Sequence, residues 1–185
     1  MEATYRARGA VVCRLPMVYG PHDYKRREEF VLRRIRAGRP RIPTGAGAFL
    51  WSRGHVADLA RGMRLALEHP DVDGEVFNLC EPQCASLRLW MEWIAEAAAV
   101  SLEFVRVPDE FLPVDLDLTA DIPQHWLASS EKARQVLGWV HRDPQASVRA
   151  SVQWHLEHPP TDIDRDFGAD ERALQAAQRL VEDLH

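Results

Sequence analysis

Apolar residues along this chain alternate between short runs that suit strands and 3.6-residue periods that suit helices. Val11, Val12 and Cys13 form an apolar run that predicts a buried strand. The following Arg14-Leu15-Pro16-Met17 is expected to leave the sheet, and Tyr19-Gly20-Pro21 supplies turn chemistry, because glycine reaches positive φ and proline fixes its own. Before this strand, Glu2 to Arg8 reads as the last turn of a helix, with Gly9 as its stop. After it, Asp23 is a candidate N-cap, and Phe30, Val31 and Ile35 among charges predict an amphipathic helix to Ala37, ended by Gly38.

Pro40 and Pro43 break regular structure ahead of a Gly45-Ala46-Gly47 turn, and Phe49-Leu50-Trp51 predicts a short strand. His55 to Glu68 keeps the helical period through Val56, Leu59, Ala60, Met63 and Leu67, with Asp58 in the first turn. Gly74 to Leu79 alternates as a strand. Ser86 caps a helix through Leu87, Trp90, Met91, Ile94 and Ala98, whose Trp and Met stripe is expected in the core. Leu102 to Val107 is a further strand, Pro108 to Pro113 a single helical turn, and Asp115, Asp117 and Asp121 an acidic loop. Ser129 or Ser130 caps a short helix stopped by Gly138, Pro144 opens another that Pro159-Pro160 ends, and Asp170 to Leu184 is a last amphipathic helix. Strands alternating with helices predict an α/β fold.

Composition narrows the picture. With 185 residues, 46% of them apolar and 28% charged, the chain can bury one ordinary core. A net charge of -5 argues against a general nucleic-acid binder, which needs a surplus of Lys and Arg. Cys13, Cys80 and Cys84 are odd in number and irregularly spaced, which disfavours a disulfide framework and points to a reducing, cytoplasmic setting. No apolar run approaches the roughly 20 residues a membrane span requires.

No metal site is expected. Cys80 and Cys84 lack a second Cys/His pair at ligand spacing. Asp162, Asp164 and Asp166 resemble a calcium loop only in their alternation, because Phe167 stands where the turn needs glycine and Ala173 where the loop needs glutamate. His155 and His158, one turn apart, read as exposed residues of a helix end. Arg26, Arg27, Arg33, Arg34 and Arg36 read chiefly as a solvated face, with Arg26 and Arg27 also suited to an anionic substrate.

RLPMVYGPHD resembles the R-x-P-x-V-Y-G-P signature after the sixth strand of extended short-chain dehydrogenase/reductases, the NAD-dependent epimerase/dehydratase family. Further matches follow in family order: the Gly45-Ala46-Gly47 turn, Trp51-Ser52-Arg53-Gly54-His55-Val56, Gly74 to Leu79, and Ser130 to Gly138. The likeness covers about residues 9–160. It implies a partial Rossmann-like fold, its C-terminal strands, with a small α/β substrate-binding subdomain. Residues 1–160 would then be the substrate-binding portion and residues 161–185 a helical appendage.

The family's reaction uses NAD or NADP and a Tyr-x-x-x-Lys pair, in which the tyrosine moves a proton while hydride passes to the nicotinamide. Here Tyr5, Tyr19 and Tyr24 are followed four residues later by Gly9, Asp23 and Glu28, and neither G-x-x-G-x-x-G nor G-x-G-x-x-G occurs. The resemblance therefore implies the C-terminal half of such an enzyme, with no catalytic residue of its own and no tight cofactor binding. It places Tyr19, His22, Arg26, Arg27, Arg53 and His55 around a sugar or nucleotide-sugar substrate, and Pro16, Met17 and Val18 under the nicotinamide. Relatives carry a further basic or polar residue near Leu50 or Trp51, and this chain does not. An N-terminal Rossmann half in trans or a second copy would be the partner. The alternative is a non-catalytic module that binds another chain.

Overall fold

The computed structural model describes residues 1–117 and 124–182; Asp121 and Leu184 lie outside them. Six short strands pair in parallel as three two-stranded ladders. β1 (Val12–Arg14) pairs with β5 (Val76–Asn78), β2 (Met17–Tyr19) with β4 (Arg53–His55), and β3 (Arg41–Thr44) with β6 (Glu103–Arg106). Around them lie α1 (Glu2–Arg6), α2 (Glu29–Arg36), α3 (Val56–Glu68), α4 (Leu87–Ala97), a 3₁₀ turn at Asp109–Phe111, α5 (Glu131–Leu137), α6 (Pro144–Glu157) and α7 (Gly168–Glu182). This is an α/β arrangement, since parallel pairs require crossovers and helices supply them.

The chain does not leave the sheets at Pro16. Proline has no N–H to give to a ladder, so the first strand stops at Arg14 and a second one resumes at Met17 with a new neighbour. β1 sets Val12 beside Val76 and Arg14 beside Asn78, whereas β2 sets Met17 beside Arg53 and Tyr19 beside His55. One proline thus sends two consecutive strands to two different partners.

Arg41–Thr44 also forms a strand where Pro40 and Pro43 predict irregular chain. It pairs on one side only, with β6, and a proline without an N–H is tolerated at such an edge. Phe49-Leu50-Trp51 makes only isolated bridges, Leu50 to Ser86 and Trp51 to Trp126. α2 begins at Glu29 rather than after Asp23, because Arg26 has φ 49°, a left-handed conformation that no helix continues through. Asp23 instead accepts hydrogen bonds from the Lys25 and Arg27 N–H groups and closes a turn.

The helices sit where their periods place them. Ser86 accepts from the Leu89 N–H and caps α4. Asp143 accepts from Ala146 ahead of Pro144 in α6, and Gly138 ends α5 at φ 61°. Trp90, Met91 and Ile94 of α4 are buried with Met17, Tyr19, Phe30, Leu32, Ile42, Val148 and Val152 in one core. A second core holds Leu59, Phe77, Leu79, Ala133, Leu137 and Trp139. Each fully buried Val, Leu, Ile, Phe or Met side chain among them contributes about 1.5–3 kcal/mol through burial.

The arginine-rich face of α2 is internal. Arg33 and Arg34 are buried, and Arg34 holds Asp170 of α7 in a two-pronged pair at 2.7 Å and Asp115 at 2.7 Å. Arg33 holds Asp115 at 2.8 Å and Asp164 at 3.3 Å. The carboxylates come from segments 81 to 136 positions away, which is why periodicity alone reads these arginines as solvated. α7 packs through Ala173 and Ala177 against Val107, Val105 and Leu112. Among the described residues no helix is long and apolar enough to cross a membrane.

Candidate substrate cavity at the strand ends

A cavity of about 460 Å³ opens at the carboxyl ends of β1 and β5, where backbone groups leaving a ladder and the side chains behind them face a ligand in parallel α/β folds. Its floor is Leu15, Pro16, Met17 and Leu79. Polar lining comes from Arg14, Arg27, Ser52 and Asn78, and the remaining wall from Trp51, Cys80 and the strap Trp126-Leu127-Ala128. The strap is fastened on both sides. Ser52 N–H donates to Trp126 O at 2.8 Å, Trp126 N–H to Leu50 O at 2.9 Å, and Ala128 N–H to Ser52 Oγ at 2.9 Å. Asn78 Nδ2 donates to Ser129 O at 3.3 Å and Cys80 Sγ to Ala128 O at 3.2 Å.

Two cations face this space in different states. Arg14 is engaged by Glu2, Nη2 to Oε2 at 2.6 Å and Nε to Oε1 at 3.1 Å. Arg27 has no ion pair among the described residues and is half-buried in the wall. An unpaired guanidinium beside apolar surface suits an anionic group of a ligand.

Behind the floor lies a buried polar layer. Tyr19 donates its phenolic hydrogen to Glu81 Oε1 at 2.7 Å. Burial, reinforced by the Glu81 charge, holds the Tyr19 hydroxyl far above the usual phenol range. Burial likewise pushes Glu81 up to about 7, against the pull of the Tyr19 hydrogen bond and the Arg53 charge. Arg53 lies over the Trp90 ring at 4.5 Å and donates through Nη1 to Ala85 O at 2.7 Å. Its Nε is buried without a partner, and burial lowers its pKa.

His55 caps α3, its Nδ1 accepting from the Ala57 N–H at 3.2 Å and lying 2.8 Å from Arg142 Nη2. Burial and the Arg142 charge push it down to about 4, so it is neutral. Asp58, from the first turn of α3, works against its own burial. The Arg142 hydrogen bond and the surrounding positive charges hold its carboxyl below the usual range.

Of the residues assigned to the substrate from sequence, the structure brings Arg27 to the cavity, together with Pro16 and Met17 of the set assigned to the nicotinamide. Tyr19, Arg53 and His55 lie in the buried layer. Val18 packs against the second core. His22 is exposed with its ring 4.6 Å from that of Trp154, and Arg26 pairs with Asp162 at 2.7 Å. The cavity residues that sequence reading passes over are Arg14, Ser52, Asn78 and Trp126. Arg14, Ser52 and Asn78 end or adjoin strands, which was a usable signal. Trp126 carried none, since it reaches the cavity only through the pairing of its strap with Leu50 and Ser52.

Fold and cavity together define a Rossmann-like α/β protein with a cavity at its strand ends. Residues 1–80 match the NAD dependent epimerase/dehydratase family. The chain is 32% identical over 131 residues to a chloroplast stem-loop binding protein of 41 kDa from Arabidopsis thaliana, covering 66% of this chain and 33% of the relative. It is 33% identical over 109 residues to a UDP-glucose 4-epimerase of Halalkalibacterium halodurans, covering 57% of this chain and 30% of the relative.

Among solved structures, UDP-glucuronic acid 4-epimerase from Bacillus cereus, in complex with UDP-glucuronic acid and NAD, superposes with a TM-score of 0.63 at 20% identity. That match covers 81% of this chain and 46% of that one. UDP-glucose 4-epimerase from Thermotoga maritima, with UDP-glucose, gives 0.62 at 22% identity, covering 81% and 47%. The chain thus spans about a third of the length of the curated relatives and about half of the structural ones.

Proposed function

We propose that this chain forms the substrate-binding portion of an NAD(P)-dependent nucleotide-sugar epimerase, dehydratase or reductase, and supplies positioning rather than proton and hydride transfer. The observation that carries this reading is the cavity at the β1 and β5 ends, with Arg27 in its wall making no ion pair among the described residues and Tyr19 withdrawn behind its floor. A tyrosine that serves as a base must lose its proton near neutral pH. Tyr19 is buried and bonded to a carboxylate, which opposes that loss. Tyr5 and Tyr24 are exposed at 56% and 83% and have no lysine four positions on.

The residues present do not make a dinucleotide cradle. Such a cradle needs a glycine-rich strand-to-helix turn against the pyrophosphate, and Pro16 and Met17 offer only a wall, with the Met17 N–H already donated to Ser52 O. Calorimetric titration of the purified chain is expected to show binding of UDP-glucose and none of NAD or NADP. Tight NAD binding by this chain alone would overturn the reading.

A second reading, recognition of a nucleic-acid stem-loop, is favoured by the name of one curated relative. Against it stand the net charge of -5 and the commitment of Arg33, Arg34 and Arg36 to internal carboxylates. A salt-dependent gel shift with a stem-loop RNA, in a chain that shows no binding of UDP-glucose, would favour it over the first.

A further inference from the structure

We infer that Trp51 and Trp126 are the selecting residues of the cavity: their indoles carry the apolar face of a pyranose whose anionic substituent lies on Arg27. This rests on the substrate-binding reading above and specifies which part of the substrate the cavity takes. Trp126 leaves 56% of its surface in solvent and lines the cavity beside Trp51. Its backbone is nevertheless fixed from both sides by bonds of 2.8 and 2.9 Å to Ser52 and Leu50. An aromatic side chain presented by a clamped backbone is a pre-ordered contact surface, which reduces the entropy lost on binding.

The geometry selects the kind of ring. The two indoles lie 6.0 Å apart, centre to centre, with their planes tilted by 45°. That leaves no parallel slot for a flat nucleobase to enter, whereas a puckered sugar can lay one CH face along a tilted pair. A pyranose also brings hydroxyls that need partners around its edge. The lining offers a partner in Asn78, whose amide donates to Ser129 and whose carbonyl oxygen makes no hydrogen bond among the described residues, while the Ser52 oxygen accepts from Ala128 and its hydroxyl also meets Cys84. The charge is supplied by Arg27, and the second guanidinium at the mouth, Arg14, is engaged by Glu2. Among the described lining residues Arg27 is the cation without an ion pair, which matches one anionic substituent.

The test is calorimetry on the full chain with four probes: glucose 1-phosphate, UMP, inorganic phosphate and UDP-glucose. The wild type is expected to bind glucose 1-phosphate. Trp126→Ala should weaken that binding about tenfold, the scale of a lost ring contact, while Trp126→Phe keeps most of it. Trp51→Ala should weaken it as well. Inorganic phosphate should respond to Arg27→Gln and not to either tryptophan change. Retention of glucose 1-phosphate binding in both alanine variants overturns this inference and leaves the substrate-binding reading standing. Dependence on Trp126 for UMP but not for glucose 1-phosphate overturns it in favour of a nucleobase platform. Failure of all four probes to bind the wild type overturns both.

Discussion

Tyr19 and Glu81, 62 positions apart, meet through a hydrogen bond of 2.7 Å inside the core. The bond ties β2 to the chain just beyond β5, behind the floor of the cavity. Because both partners are buried, neither can recover a hydrogen bond from water when the other is removed.

Tyr19→Phe is therefore expected to destabilise the chain by about 1–3 kcal/mol, with little change in the shape of the core. Urea denaturation checks this: the midpoint should fall while the slope stays unchanged.

The same pair gives stability an unusual pH dependence. Glu81 titrates at about 7 in the folded chain against an ordinary 4.5, so the native state takes up this proton more readily than the unfolded one. Its contribution is complete below about pH 4.5 and is lost as pH rises through about 7. Glu28, also raised to about 7 by burial, acts in the same direction. His55 opposes them: lowered to about 4 from 6.5, it contributes above its unfolded value and is lost as pH falls through about 4. Between about pH 5 and pH 8, wild-type stability should fall relative to Glu81→Gln, by on the order of 3 kcal/mol at most. Parallel pH profiles of the two proteins in urea decide it, and identical profiles would contradict the burial of an ionisable Glu81.

The pair between Arg34 and Asp170 predicts an asymmetry. Both side chains are fully buried; Arg34 keeps Asp115 when Asp170 is removed, whereas removing Arg34 leaves the Asp170 carboxylate with Arg33 at 4.0 Å, at a cost of about 3–5 kcal/mol. Arg34→Met alone should approach that loss, and Asp170→Asn should lose less. Arg34→Met combined with Asp170→Leu should lose far less, because no uncompensated charge remains. Thermal and denaturant unfolding of the single and double variants measure the difference.

Gly62 lies inside α3, where alanine would ordinarily be preferred by roughly 1 kcal/mol. A Cβ there would stand 2.9 Å from Trp139 Nε1 and 3.0 Å from Leu79 Cδ1. The Trp139 N–H is bonded to Asp58 O at 2.8 Å, and the ring is buried, so neither neighbour can yield cheaply. Gly62→Ala should thus destabilise by on the order of 2 kcal/mol, reversing the sign that helix propensity gives. Circular dichroism melts of the variant test that sign.

The sequence by itself determined the α/β class, the helices of regular period from Val56, Leu87 and Pro144, and the signature around Arg14 to Asp23 that marks the family. Those properties are local: a period, a cap or a proline is written in adjacent residues. It also brought Pro16 and Met17 into view through the family resemblance, and Arg27 through the affinity of a guanidinium for anions, and all three line the cavity. Only the tertiary structure decided that Pro16 separates two strands with different partners, that Arg33 and Arg34 face carboxylates from α7 and the Asp115 segment, and that Tyr19 and Arg53 lie behind the cavity while Trp126 lies across it. Each of these depends on contacts between residues tens of positions apart. Which carboxylate meets an arginine, or which strap covers a strand end, is set by how the ladders pack and not by the pattern around the residue itself.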